Sequence, residues 1–279
     1  MKCQYINLDA AASRRMAMEA MFSKVNSRDW QVERFAAFNL DHVKDNKIPG
    51  RLRDPEKACF LSHMAVLFNN LDLGGPLWIM EDDVEFADAT IDLIEVALKT
   101  KMNDVDWDIL FTDVGVPNIA LMVELVSLRR AVMGNQSIEC LSLSGWPFFG
   151  ATSYIINPKS IKKVFALANS APLDIPIDLL YRKLAGDGKL NAYVTFPYLT
   201  TDSAEATVSQ IQTAGTAQFN QVSSWFRKLT WINGDHFDPT PMLNEMLQGI
   251  DKKSCLYGAL WAVMANPDFA KNSDANQGS

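Results

Sequence analysis

The sequence predicts an α/β fold, with a mainly parallel sheet flanked by helices and a less regular C-terminal subdomain. Three observations carry this. Short apolar runs alternate with helical-period segments through the first half of the chain. Two of those runs, LWIM at 77–80 and WDILFTDV at 107–114, are followed or ended by acids, as buried strands are where they emerge from a sheet. The composition, 48% hydrophobic and 21% charged over 279 residues, is that of a globular protein able to bury a sizeable core.

Taken in order, CQYINL reads as a first strand, and Ser13 to Lys24 as a helix with Met16, Ala20 and Met21 on one face. WQVERFAAF reads as a second strand. Asp41 to Pro55 is charged and broken by Pro49-Gly50, so a loop is expected there. Glu56 to Leu71 follows as a helix whose apolar side carries Phe60, Met64, Leu67, Phe68 and Leu71. Gly74-Gly75-Pro76 ends it and launches the LWIM strand. Asp88 is placed to cap a helix in which Ile91, Ile94 and Leu98 repeat. WDILFTDV gives another strand, and LMVELVSL, SIECLSL and FGATSYIIN read as three more. Pro158 to Ala168 is expected as a helix with Pro in its first turn, and Ile177 to Leu184 as a second helix before the strand NAYVTFPYL. Ser203 to Gln221 is polar and aperiodic. Helices return at Pro241 to Gln248 and Ser254 to Ala265, and the last ten residues read as frayed.

Charge and motifs exclude several classes. With 26 basic against 33 acidic side chains, net −7, the chain lacks the excess of base that a nucleic-acid partner requires. No apolar run reaches the length of about eighteen residues that a spanning helix needs. No charged-then-apolar leader opens the sequence, and the expectation is a cytoplasmic protein. The four cysteines, Cys3, Cys59, Cys140 and Cys255, form no CxxC pair; they read as reduced thiols and not as a zinc set. There is no Walker loop, GxGxxG turn or GxSxG elbow.

The distinctive stretch is WIMEDDVEF. It sets Glu81, Asp82 and Asp83 at the carboxyl end of a strand, where open α/β sheets bind ligands. On an extended chain Glu81 and Asp83 would share a face and Asp82 would point elsewhere. Two carboxylates on one face suit Mg²⁺ or Mn²⁺. The competing reading is a solvated strand end with its acids near a helix N-terminus.

Four blocks, in order, resemble glycosyltransferase family 25, which includes lipooligosaccharide and collagen galactosyltransferases. They are Ile6-Asn7-Leu8-Asp9 with Arg14-Arg15; Glu56 through His63 (EKACFLSH); Glu81-Asp82-Asp83-Val84; and Gly150 through Ile156 (GATSYII) with Pro176-Ile177-Asp178. The resemblance spans Cys3 to Tyr198. It implies a GT-A fold, with a catalytic domain over 1–200, the nucleotide-sugar and metal site in 1–116, the acceptor side in 117–200, and a C-terminal helical extension over 201–279. It also implies metal-assisted transfer of a hexose, galactose foremost, from a UDP-sugar to a glycan or glycolipid hydroxyl with inversion, with peripheral contact at the inner membrane surface.

In that scheme Asp83 and Glu81 hold Mn²⁺ or Mg²⁺, and Glu81 or Asp82 reaches ribose hydroxyls or the cation through water. Asn7, Asp9, Arg14 and Arg15 lie where nucleotide and diphosphate are gripped, with only one of the two arginines expected to serve. Ser62 and His63 stand near the donor, and Gly150 and Thr152 let backbone approach the sugar. Asp178 is the first candidate base and Asp174 the second, either of which could instead cap the following helix. The rival expectations are a metal-dependent phosphohydrolase and a carbohydrate-binding protein without turnover.

Overall fold

The computed structural model describes residues 1–135, 137–203 and 217–238, together with residues 240 and 260. The chain opens β1 (Lys2–Asn7), α1 (Ala12–Val25), β2 (Gln31–Ala36), α2 (Leu40–Asp45), α3 (Asp54–Phe68), β3 (Leu77–Glu81). It continues β4 (Val84–Phe86), α4 (Thr90–Val96), β5 (Ile109–Phe111), α5 (Ile119–Gly134), β6 (Glu139–Ser142), β7 (Ser153–Ile156). Then come α6 (Ile161–Asn169), α7 (Ile177–Gly186), β8 (Ala192–Phe196), β9 (Thr200–Asp202) and α8 (Ala217–Thr230).

Seven strands form one sheet in the order β2-β1-β3-β7-β5-β8-β6, and β4 pairs with β9 in a small second sheet. Strands β2, β1, β3, β5 and β8 run one way, while β7 and β6 oppose their neighbours. The sheet is mixed and mostly parallel. Period-two alternation assigns each side chain to one of two cores. On β3, Leu77 and Ile79 join the core covered by α3, α5, α6, α7 and α8, whereas Trp78 and Met80 join the core covered by α1 and α4. Burial on both faces is why LWIM shows no polar alternation. The layout places the carboxyl ends of β1, β3 and β5 along one edge, and their next residues become the site.

Several expectations are corrected. LMVELVSL lies inside α5, a 16-residue helix, not a strand. Its buried positions Met122, Leu125, Arg129 and Val132 follow helical spacing, and the Asn118 side chain caps it by accepting from Leu121 N–H at 3.0 Å. The expected loop after Asp41 begins with helix α2, capped by Asn39, which accepts from His42 N–H at 2.9 Å. Asp88 does not cap α4; it pairs with Lys24 at the surface, and the N-cap position is Ala89, which has no side-chain bond. Phe68, expected on the apolar side of α3, is 59% exposed. Pro158 to Ser160 form a 3₁₀ turn ahead of α6. Helix α8, starting at Ala217, takes up the end of the stretch read as aperiodic. The helices expected at Pro241 to Gln248 and Ser254 to Ala265, and the frayed last ten residues, lie outside the described residues except for residue 260.

Candidate active site

Strand β3 ends at Glu81, and residues 82 and 83 form a turn before β4. The strand alternation expected to align Glu81 with Asp83 therefore ends at Glu81, and a turn carries Asp83. The three acids meet different partners, while the Glu81 charge still acts on Asp83. Glu81 Oε1 faces His63 Nε2 at 3.3 Å and the Cys59 thiol at 3.9 Å. Asp82 accepts from Asn7 Nδ2 at 2.7 Å and from Arg14 at 2.8 Å. Asp83 Oδ2 lies 3.3 Å from the second Arg14 nitrogen. Asp83 Oδ1 is buried and receives no hydrogen bond among the described residues.

The electrostatics separate the acids. Burial works to raise the Glu81 carboxyl, but His63 together with the Arg227 and Arg14 charges outweighs it and brings it below the ordinary value. Burial and the neighbouring Glu81 charge push Asp83 up to about 7. Burial raises Asp82 as well, against the pull of Asn7 and Arg14. A buried carboxylate oxygen with no donor among the described residues, crowded by the negative charges of Glu81 and Asp82, fits a hard divalent cation.

Other expected residues divide cleanly. Asn7 is tied to Asp82 and to Arg34, whose Nε donates to Asn7 Oδ1 at 2.8 Å; Arg34 also pairs with Asp9 at 2.6 Å. Of the two arginines, Arg14 reaches the acids, while Arg15 acts on Tyr5. Ser62 is a packing residue: it donates to Ala58 O and accepts from Phe38 N–H. Thr152 contributes its carbonyl, which accepts from Glu81 N–H at 2.7 Å. Gly150, at φ +91°, turns its N–H to Asp178 Oδ2 at 2.8 Å. Asp178 stands in the first turn of α7; its charge acts on Cys59, and the Glu81 charge acts on it. Asp174, the second candidate base, is exposed and accepts from Arg51 N–H at 2.9 Å, stapling a loop. Of the aromatics near Gly150, Phe148 is fully buried in the core.

Three site residues escaped the sequence reading. Asp113, just past β5, accepts from Arg227 Nε at 2.6 Å and from Thr200 Oγ1 at 3.1 Å. Arg227 on α8 also lies 3.9 Å from Asp202 on β9. The Arg227 charge is felt at Asp83 and Glu81. The signal for α8 was present in Val222, Trp225, Phe226 and Leu229, which recur at helical spacing around Arg227.

The sequence profile of glycosyltransferase family 25, described as an LPS biosynthesis protein family, matches residues 1–181. The chain belongs to glycosyltransferase family 25. No curated protein matches the sequence closely enough to count as a relative. Among solved structures, this family 25 chain is similar to A197 from STIV, at 12% identity and TM-score 0.39 over 70% of this chain and 84% of that one. It is similar also to the glycosyltransferase GlyE of Streptococcus pneumoniae TIGR4, at 10% identity and TM-score 0.39 over 97% of this chain and 63% of that one. The inositol-1-phosphate CTP transferase from T. maritima matches at 12% identity and TM-score 0.34 over 79% of this chain and 94% of that one. Among the described residues of the family 25 chain, no helix is long and apolar enough to cross a membrane.

Proposed function

We propose that this glycosyltransferase has a GT-A arrangement and moves a hexose, galactose foremost, from a UDP-sugar to a hydroxyl of a glycan or glycolipid acceptor, with inversion. The acceptor class is a lipopolysaccharide or lipooligosaccharide, met in the cytoplasm or by peripheral contact at the inner membrane. The observation that carries the metal-assisted reading is Asp83 Oδ1, a buried carboxylate oxygen without a donor among the described residues.

Asp83 would hold Mn²⁺ or Mg²⁺; of the two acids expected to do so, Glu81 already has Oε1 engaged by His63. The bound cation would supply Lewis-acid stabilisation to the diphosphate as the sugar departs. The protein's own groups do the rest. Arg14 spans Asp82 and Asp83 and holds both carboxylates in place. Asn7 and Arg34 brace Asp82 and Asp9 at the end of β1, leaving a polar rim for the nucleotide. Asp178, aimed by Gly150 N–H, takes the acceptor proton. Inversion needs no protein nucleophile, and the thiol beside the acids, Cys59, is held in its neutral form by burial and by Glu81, Asp178 and Asp83.

UDP with Mn²⁺ should raise the melting temperature, and EDTA should remove that rise, because ligands bound only by the folded state stabilise it. Asp83→Asn should lose the rise and lower transfer by about a hundredfold or more while the ligand-free protein keeps its melting point. Equal stabilisation by UDP in EDTA, or normal turnover by the variant, would refute the metal-assisted reading. Sugar release without any acceptor would favour hydrolysis over transfer.

A further inference from the structure

A second cluster of ligand atoms adjoins the acids, and no element of the proposed reaction uses it. Cys59 and His63 stand four residues apart on α3, on one face of the helix, and both point at the end of β3. The Cys59 thiol, a His63 ring nitrogen and a Glu81 carboxylate oxygen lie within 4.8 Å of one another. We propose that these three residues form a cation site of their own, one that takes a thiophilic divalent ion of the Zn²⁺ class.

The separations suit a shared ion. A charge-assisted N–H to carboxylate bond is about 2.7–2.9 Å long. His63 Nε2 and Glu81 Oε1 are 3.3 Å apart, and the thiol is 3.9 Å from the same oxygen. Ligands around one tetrahedral Zn²⁺ stand about 3.3 Å apart for nitrogen and oxygen and about 3.5 Å for sulfur and oxygen. The His63–Glu81 spacing matches the nitrogen–oxygen value, and the thiol lies near enough to close on a shared ion.

The imidazole is also prepared for the role. His63 Nδ1 lies 2.8 Å from the Tyr154 hydroxyl and the two rings stack, so the ring is fixed with Nε2 towards Glu81. An outer partner on the far nitrogen is the usual support of a metal-bound histidine. The His63 side chain is wholly buried while that of Glu81 is 29% exposed, so the ion would enter from the Glu81 side and keep one open position there. A thiol in the ligand set selects zinc-like ions over Mg²⁺ or Mn²⁺. The lack of a CxxC pair did not reveal such a site, because its ligands come from one helix face and a distant strand end. On binding, the ion would displace the Cys59 proton to solvent, and the resulting thiolate with the Glu81 carboxylate would balance its double charge. The proposal does not rest on the glycosyl-transfer reading.

Co²⁺ is the probe. The full chain, stripped with a chelator, should bind Co²⁺ and develop a thiolate-to-cobalt charge-transfer band with the strong visible bands of a four-coordinate ion. Zn²⁺ should bleach both. Cys59→Ser should lose the charge-transfer band, and Asp83→Asn should keep it, which separates this site from the cation at Asp83. A second measurement needs no variant: Zn²⁺ should slow alkylation of Cys59 in the native protein, read on its peptide by mass spectrometry. A weak spectrum without the thiolate band, a band that survives Cys59→Ser, or an alkylation rate indifferent to Zn²⁺ would overturn the proposal.

Discussion

At Asp178 burial lifts the carboxyl above its ordinary range, and the Gly150 N–H, donating at 2.8 Å, pulls it partly back. A base must be deprotonated to act, so its activity falls as pH drops through that raised value. The acid limb of kcat/KM should therefore lie above the ordinary aspartate value of about 3.9. Asp178→Asn should remove that limb and lower kcat by about a hundred- to ten-thousandfold, with UDP-sugar affinity unchanged. Were Asp178 only an acid in a first helical turn, the same change would cost about 0.3–1 kcal/mol of stability and leave the pH profile intact. This residue was legible in the sequence through the Pro176-Ile177-Asp178 block of the family resemblance. The sequence could not separate Asp178 from Asp174, since what distinguishes them is the partner each meets: Gly150 N–H at a half-buried turn for one, Arg51 at the surface for the other. Arg14 and Arg15 differ in the same way, by the direction each takes from α1.

Among the elements, the junction of β5 and β7 sets the geometry of that base. Past β5, Gly115 bridges to Phe149, its N–H donating to Phe149 O at 2.8 Å, and Gly150 follows at once. A Cβ at Gly115 would meet Phe149 Cζ at 2.4 Å. Gly115→Ala should therefore displace the ring or open the bridge, costing about 1–3 kcal/mol as overpacking does. Turnover should fall with stability, because the displaced strand carries the Gly150 N–H away from Asp178. Trimming the ring with Phe149→Leu in the same chain should restore part of both, measured as melting temperature and kcat. Unchanged values for Gly115→Ala would show that the ring yields freely. Strands buried on both faces, such as β3, were plain in the sequence as unbroken apolar runs. Helix α5 was not, because eight consecutive residues rich in Leu and Val read as a strand when the window stops short of its other two turns.

At the scale of the whole molecule, the family-matched segment ends at Tyr181, yet the site is completed by Asp202 on β9 and Arg227 on α8. The join is electrostatic and apolar at once: Trp225 and Phe226 enter the core while Arg227 pairs with the fully buried Asp113. Burial outweighs even this arginine and raises the Asp113 carboxyl, so the pair carries a large desolvation cost. Removing one partner of such a pair is worse than removing both. Arg227→Met should destabilise the fold by about 3–5 kcal/mol, since it strands a buried carboxylate. The double variant Asp113→Asn with Arg227→Met should recover part of that loss, a coupling of about 0.5–3 kcal/mol in a double-mutant cycle. Denaturant melts of the four proteins measure it. If Arg227→Met melts like the parent, α8 is held by its apolar face alone and the ion pair is incidental. If the cycle closes with coupling, the segment beyond the family match is a structural wall of the acid site, fastened by the charge that also acts on Asp83.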